Sequence, residues 1–317
     1  MINALRGKSI AILGYGSQGR AQALNLRDSG IKPVIGLPSQ SRSRKIARRD
    51  GLTVTSPETA IKNADIISVL LPDHLHKRFF DELPTKLVSG KSFIFAHGLS
   101  IAFRLVQLAR TSDIILVAPH GPGVRIRELY LSGKPFTAFW AVENDASGKA
   151  SQIARAYASA IGCPPRGLFK TTFHDEAVGD IFGEQAVLCG GLVGLLESGF
   201  ETLVSKGFSP QDAYLECIYQ IDLIVDLIKK HGPAGMFARI SKTAAFGSFR
   251  SKGRLFDRDM RRKMNALFGG IENGLFARAL MRESAAGMKT LKSDISQARR
   301  SKLQRAHDNL QRKLARF

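Results

Sequence analysis

Short apolar runs separated by turn-rich or amphipathic stretches organise the first half of the chain. Ser9 to Leu13, Val34 to Leu37, Ile66 to Leu71, Ser92 to Ala96, Ile114 to Ala118 and Phe136 to Val142 each read as a buried strand, and the segments between them are long enough for crossover helices. That rhythm predicts a doubly wound, mainly parallel sheet. A seventh β-like run, Gly167 to Phe173, follows the Cys163-Pro164-Pro165 break. From Asp175 onward the apolar positions recur at helical spacing instead. Leu215, Ile218, Tyr219, Ile221, Leu223, Ile224, Leu227 and Ile228 predict one strongly apolar helix. The expected organisation is an α/β domain over residues 1–172 and an all-helical domain over residues 173–317, without internal repeats.

Composition bounds the class. With 317 residues and 44% of them hydrophobic, the chain can bury the cores of two domains of about 150 residues each. Cys163, Cys189 and Cys217 are widely spaced and contain no C-x-x-C pair, so neither a disulfide framework nor a thiolate zinc site is expected, and a reducing compartment fits. The amino terminus lacks the apolar core of a secretory signal, and no apolar stretch long enough to span a bilayer is expected. The expected location is the cytoplasm, with no membrane partner.

The 47 Lys and Arg against 27 Asp and Glu leave a formal charge of +20, which raises the question of a nucleic-acid partner. Its distribution argues against one. From Lys292 to Phe317, eight bases (Lys292, Arg299, Arg300, Lys302, Arg305, Arg312, Lys313 and Arg316) and two acids are scattered through a helix-like tail with no interleaved aromatics. That pattern reads as a solvated basic face.

Gly14-Tyr15-Gly16-Ser17-Gln18-Gly19 matches G-x-G-x-x-G, follows a predicted strand and opens a predicted helix that runs to about Ser29, with Gly30 placed to cap it. In that setting the first glycine makes the turn and the second admits a pyrophosphate, which free helix N–H groups and the helix dipole then hold. The fold class is therefore a Rossmann domain followed by helices. An NAD enzyme would place a carboxylate at the end of the second strand. Here Gly36-Leu37 runs into Pro38-Ser39-Gln40-Ser41-Arg42-Ser43-Arg44-Lys45, and the first acid is Asp50. Hydroxyls and guanidinium groups suit a 2′-phosphate, so NADPH is expected, with Ser41 and Ser43 as donors and Arg42 or Arg44 as charge partner.

Asp180 and Glu184 are four residues apart between apolar neighbours, so a helix puts both carboxylates on one face. Two like charges there suit a hard cation such as magnesium. Glu216 and Gln220 repeat the spacing. His97 and His120 end predicted strands, at the sheet edge where doubly wound folds bind ligands. His74, His76, His174, His231 and His307 lie in unremarkable settings and carry no expected role.

Taken together, Gly14 to Gly19, Leu70-Leu71-Pro72-Asp73, Phe95-Ala96-His97-Gly98, Val117-Ala118-Pro119 with Gly121-Pro122-Gly123, Asp180 with Phe182 to Gly191, and Leu223 to Ile228 resemble the motifs of ketol-acid reductoisomerase, in family order and over nearly the whole chain. The resemblance implies an NADPH- and magnesium-dependent enzyme of branched-chain amino-acid biosynthesis. It implies a knotted helical second domain and a homodimer or larger assembly whose active site is shared between subunits. The implied substrate is a 2-hydroxy-2-alkyl-3-keto acid such as acetolactate, whose alkyl group migrates before hydride reduces the new keto group. By motif, Asp180 bridges two magnesium ions, Glu184 binds one, and Glu216 with the Gln220 position contributes from a partner chain. Ser41 and Ser43 touch the 2′-phosphate, Leu71, Pro72, Asp73 and His97 lie beside the cofactor, His97 and His120 are polar groups of the active site, and Ser241 touches substrate.

This chain departs from the family pattern at named places. His120 stands where the family has Lys and Gln220 where it has Glu, Ser241-Lys242-Thr243-Ala244-Ala245-Phe246 replaces an acidic run, and Pro38 stands where many members have Arg. A neutral Gln is a poorer ligand for a hard cation, so one magnesium site is expected and a second should bind more weakly. Alkyl migration, which relies on paired cations, is the more exposed step. Two other readings are a reductase of a keto acid or imine that no longer isomerises, and a non-catalytic binding protein on the same fold.

Overall fold

The computed structural model describes residues 2–315; Met1, Arg316 of the basic tail and Phe317 lie outside the described residues. Two compact units emerge, Met1–Gly179 and Asp180–Phe317.

The first unit is built on strands β1 (Ile10–Leu13), β2 (Val34–Gly36), β3 (Thr53–Thr55), β4 (Ile66–Val69), β5 (Ser92–Phe95), β6 (Asp113–Pro119), β7 (Ala138–Asn144) and β8 (Leu168–Lys170), in spatial order β3-β2-β1-β4-β5-β6-β7-β8. Helices α1 (Ser17–Asp28), α2 (Ser43–Arg49), α3 (Pro57–Lys62), α4 (Asp73–Asp81), α5 (Thr85–Val88), α6 (Leu99–Ala102), α7 (Gly123–Leu131) and α8 (Ala150–Ala160) connect them. β1, β4 and β5 are buried at every position, as strands covered by helices on both sides must be. Along β1, Ile12 enters the core on one face with Leu26 and Tyr157, while Ala11 and Leu13 enter the other with Phe93 and Phe95, the alternation of a pleated strand. The chain builds β2 and β3 on one side of β1 and then crosses to β4 on the other. This opens a crevice beyond the carboxyl ends of β1 and β4.

Two features depart from the expected sheet. β3 is a three-residue edge strand paired with β2, too short to register as an apolar run. β7 begins at Ala138 and pairs antiparallel with β6 through Ala118↔Phe139 and Leu116↔Ala141, and β8 then pairs parallel with β7. The local pattern of a buried strand is the same in either direction, and the connection from β6, which carries α7, is long enough for a parallel crossover too, so the sequence does not distinguish them.

Helix α9 (Phe173–Gly183) starts in the first unit and ends in the second. Beyond it come a π turn (Glu184–Leu188), α10 (Gly190–Ser205), α11 (Pro210–Tyr214), a second π turn (Leu215–Tyr219), α12 (Ile221–Phe237), α13 (Lys242–Leu255), α14 (Arg258–Glu272), α15 (Leu275–Ala285), α16 (Lys289–Arg299) and α17 (Lys302–Leu314). The single apolar helix expected across 215–228 is thus interrupted, because the π turn inserts a residue before Gln220, where the chain leaves helical geometry. Within α12, Gly232 takes a positive φ directly before Pro233, which cannot donate to the helix ladder. The basic tail forms α16 and α17, and Ala306 and Leu310 of α17 pack with Phe200, Ala213 and Tyr214. Tyr214 and His307 share a hydrogen bond of 2.7 Å.

Much apolar surface of the second unit lies open in the single chain, with Leu188 66%, Leu223 62% and Phe246 65% exposed. The helical run Phe173–Ser205 is, by length and composition, long and apolar enough to cross a membrane, which corrects the expectation that no such stretch exists. The three cysteines are free, and burial pushes the Cys163 thiol up to about 11, which keeps it protonated.

Candidate active site

A cleft of about 670 Å³ opens at the carboxyl edge of the sheet, lined by the Gly14–Gln18 loop, Ser41 and Ser43, the Leu70–Asp73 turn, and Ala96 and His97. Gly14 holds a φ of +98°, and a Cβ there would stand 2.4 Å from the Leu70 carbonyl oxygen. The turn therefore excludes any side chain. Gly16 differs. Its φ of −78° suits any residue, and a Cβ there would meet nothing within 4 Å, so the protein itself has no need of glycine at this place. It opens α1 with no side-chain cap and no acid in the first turn, leaving helix N–H groups to an anion from outside. A Gly16→Ala variant is accordingly expected to bind dinucleotide at least about tenfold more weakly, some 1.4 kcal/mol, with an unchanged thermal midpoint. Fluorescence titration beside thermal melting checks both halves.

Tyr15 lines the cleft as well, and its hydroxyl donates to Asp50 Oδ2 at 2.8 Å. Arg20 reaches the same carboxylate through Nε at 2.8 Å and Nη2 at 3.0 Å. The Arg20 hydrogen bond, helped by that from Tyr15, holds Asp50 below the usual carboxylate range despite partial burial. The first acid after β2 is thus committed to bracing α1. Because the folded state depresses its pKa, its contribution is complete above the unfolded value near 3.8 and disappears as pH falls through the lower folded value. Asp50→Asn should cost about 1 kcal/mol at neutral pH, a modest figure because Arg20 is half exposed. The loss should shrink in acid when urea midpoints are compared across pH.

Ser41 and Ser43 line the cleft together with Gln40. Arg44 does not reach it. Its Nη1 donates to the carbonyls of Leu37 and, at 3.1 Å, Thr55, so it ties the loop to β3 and is withdrawn as a charge partner. Arg42 precedes α2 and is exposed.

Asp73 begins α4 and faces two histidines, with Oδ1 3.8 Å from His76 Nδ1 and Oδ2 3.6 Å from His97 Nδ1. Burial alone would raise the carboxyl, but the His97 hydrogen bond, followed by the charge of His97, outweighs it and holds Asp73 below the usual range. His76, given no role from the sequence, is buried and lines the cleft. Its Nε2 must donate to the Leu71 carbonyl at 3.0 Å, and burial keeps the ring neutral, so Nδ1 accepts from Ser100 Oγ at 2.8 Å. The ring also stands edge-on to Phe95, with centroids 5.9 Å apart.

His97-Gly98 meets the first turn of α9. A Cβ on Gly98 would fall 2.2 Å from the Phe173 carbonyl oxygen, and the Gly98 N–H donates to the buried Glu176 carboxylate at 2.5 Å. Because α9 is one continuous helix, Asp180 follows Glu176 by one turn, and ligand atoms of His97, Glu176 and Asp180 lie within 4.8 Å of one another. Glu176 is the residue that sequence reasoning missed. It sits four before Asp180, the spacing that singled out Glu184, but in a first turn with Asp175, where acids read as complements to the helix dipole.

The other expected residues have these places. Glu184 opens the first π turn and Glu216 lies in the second, and neither belongs to that trio. Gln220 closes the second π turn, its Nε2 donating to the Leu215 carbonyl at 3.3 Å. Ser241 caps α13, its hydroxyl accepting from the Ala244 N–H at 3.1 Å, which leaves its own proton to give. His120 follows β6. Its Nδ1 shares a hydrogen bond of 2.8 Å with Thr137 Oγ1, and its ring stands edge-on to Phe139.

Comparison with known proteins places this geometry in a family. The model of the acetohydroxy acid isomeroreductase NADPH-binding domain matches residues 4–167, and that of the ketol-acid reductoisomerase C-terminal domain matches residues 173–315. An NADH-preferring ketol-acid reductoisomerase from an uncultured archean is similar over 98% of this chain and 96% of its own, with 34% identity and a TM-score of 0.94. A semialdehyde dehydrogenase NAD-binding protein from Cupriavidus necator (17% identity, TM-score 0.64, covering 83% of this chain and 99% of its own) shares the fold. So does a 1-pyrroline-5-carboxylate reductase from Streptococcus pyogenes (16%, 0.55, 84% and 98%). The chain belongs to the ketol-acid reductoisomerase family.

Proposed function

We propose that this NAD(P)H-dependent reductoisomerase uses NADPH and magnesium to convert an acetolactate-like 2-hydroxy-2-alkyl-3-keto acid into a 2,3-dihydroxy acid. The observation that carries the reading is the single sheet edge that brings together the phosphate loop of β1, His97 and the Glu176 carboxylate on the Gly98 N–H. The commitment of Asp50 to Arg20 supports NADPH over NADH, since no carboxylate is left to accept from a ribose 2′-hydroxyl or to repel a 2′-phosphate.

In this reading Gly14, Gly16, Ser17, Gln18 and Gly19 present backbone to the pyrophosphate, Ser41, Ser43 and Arg42 receive the 2′-phosphate, and Leu71, Pro72 and Asp73 border the nicotinamide end. Asp73 orients His97 towards the reacting groups. Asp180 and Glu184 hold magnesium with Glu216 of a second copy, and Ser241 donates to the substrate carboxylate. Carboxylate oxygens one helical turn apart suit a hard cation. When bound, magnesium polarises the adjacent hydroxyl and keto oxygens, and NADPH supplies the hydride. The open apolar faces of the second unit support a homodimer or larger assembly. We propose a working boundary between residues 172 and 173, ahead of α9 and of the division after Gly179; the cap of α9, in which Thr172 Oγ1 accepts from the Asp175 N–H at 2.9 Å, supports it.

A reductase that no longer isomerises is the second reading. The turn of the Gln220 amide onto its own backbone favours it, since that group is then a poor ligand for a second cation. Incubation with acetolactate, NADPH and magnesium, with the product identified by mass spectrometry, tests the first reading. A 2,3-dihydroxy acid with a migrated methyl group is expected; an unrearranged diol would favour the second.

A further inference from the structure

A line of polar side chains runs from the buried sheet to the loop that follows β6, and the dinucleotide loop lies in its path. Gln18 Nε2 donates to the Gly121 carbonyl at 2.8 Å. Its amide oxygen therefore faces Gln22 and accepts from Gln22 Nε2 at 3.1 Å. That orients the fully buried Gln22 with its own oxygen towards Tyr157, whose hydroxyl donates to it at 2.9 Å. Having given its one proton, the Tyr157 oxygen takes its 2.8 Å contact with Ser68 Oγ as acceptor. Each direction in the line is fixed by the one before it, so the Gln18 carboxamide has a single allowed orientation.

The far end of the line is a place where two loops are pressed together. Gly123 approaches the first turn of α1 so closely that a Cβ would lie 2.2 Å from the Ser17 carbonyl oxygen. Gly121 holds a φ of +142°, and the residue before it is His120, whose backbone N–H donates to the Thr137 carbonyl at 2.9 Å. Although Gln18 lines the cleft, both ends of its side chain are bonded to the protein, and its backbone N–H is the group the helix end offers to the pyrophosphate.

We infer that Gln18 is a positioning residue: its carboxamide registers the β6–α7 loop, and with it His120, against the dinucleotide-binding turn. This rests on the proposed reductoisomerase reading, with His120 taken as a polar group of its active site. Gln18 then acts on the keto acid through the loop, with little effect on dinucleotide affinity. Gln18→Glu discriminates, because it keeps the length and an acceptor for Gln22 but sets an oxygen against the Gly121 carbonyl. Gln18→Met keeps the length and removes both bonds, which guards against misfolding by one variant.

Three readouts on the full-length protein test the inference: NADPH affinity by fluorescence, kcat and KM for the keto acid, and hydrogen exchange of residues 119–124. For Gln18→Met NADPH affinity should stay within about threefold, whereas Gln18→Glu also brings a charge near the pyrophosphate and is read by the other two measurements; for both variants kcat/KM should fall roughly 10- to 100-fold as for other residues that orient a site group, and exchange at 119–124 should speed up while α1 stays protected. An equal loss of NADPH affinity and kcat/KM in Gln18→Met would make Gln18 a plain cofactor contact and overturn the inference. So would wild-type exchange at 119–124. Failure of the enzymatic reading would appear separately, as no keto-acid turnover by the parent protein, and the exchange result would still decide the structural coupling.

Discussion

Replacing Asp180 with asparagine should lower kcat for acetolactate by about 10³-fold, or some 4 kcal/mol of transition-state stabilisation. NADPH affinity and the thermal midpoint should hardly move. Asp180 is exposed on α9 in the single chain, and a surface substitution of that kind ordinarily changes stability by less than about 0.5 kcal/mol. A structural role for this carboxylate would therefore have little to show, whereas loss of an anionic oxygen from a cation site removes both affinity and Lewis-acid polarisation. The Asn side chain keeps one oxygen of the right size, so a large effect isolates charge. Steady-state kinetics across magnesium concentrations, with melting curves alongside, would check it. Turnover within tenfold of the parent would place the metal elsewhere.

The next largest effect is expected at the end of β2. Ser41→Asp, alone or with Ser43→Asp, should weaken NADPH by about 10²-fold, since like charges brought together at close range cost several kcal/mol. NADH should be retained or improved, because the new carboxylate can accept from the ribose hydroxyls. These serines line the cleft, and Arg44, bound to the Leu37 and Thr55 carbonyls, is not free to neutralise the added charge. Parallel titrations of both dinucleotides measure the switch. Equal weakening of the two would show that the loop only packs against the cofactor.

The phosphate loop was legible because its chemistry is local: six residues carry the turn, the open helix end and the approach of backbone. The doubly wound, mainly parallel sheet followed from the alternation of runs and crossovers. What escaped depends on distant or subtle geometry. β7 has the composition of any buried strand, and the connection before it, which carries α7, would serve a parallel crossover equally well, so its reversal left no local mark. The π turns at 184–188 and 215–219 add one residue to a helical repeat without altering its apolar texture, so neighbouring turns read as one helix. Glu176 and His76 matter through Gly98 and through Leu71 and Ser100, and such pairings exist only once the chain is folded. For His76 a trace was present in its place three residues after Asp73, where a helix brings the two together.

Departures at His120 and Gln220 bear on the two halves of the reaction unequally. Hydride transfer needs a placed dinucleotide and one polarising group, both supported by the cleft beside His97. Rearrangement needs adjacent oxygens held by cations, and there Gln220, with its amide on the Leu215 carbonyl, contributes no charge.

The most direct measurement is a magnesium titration of NADPH oxidation with two substrates in parallel, acetolactate and 3-hydroxy-3-methyl-2-oxobutanoate, which requires reduction alone. Oxidation with both, abolished by chelation and restored by magnesium, with acetolactate demanding the higher concentration, is the predicted result. NADPH oxidation indifferent to chelation, or none with either substrate, would contradict a magnesium-dependent reductoisomerase.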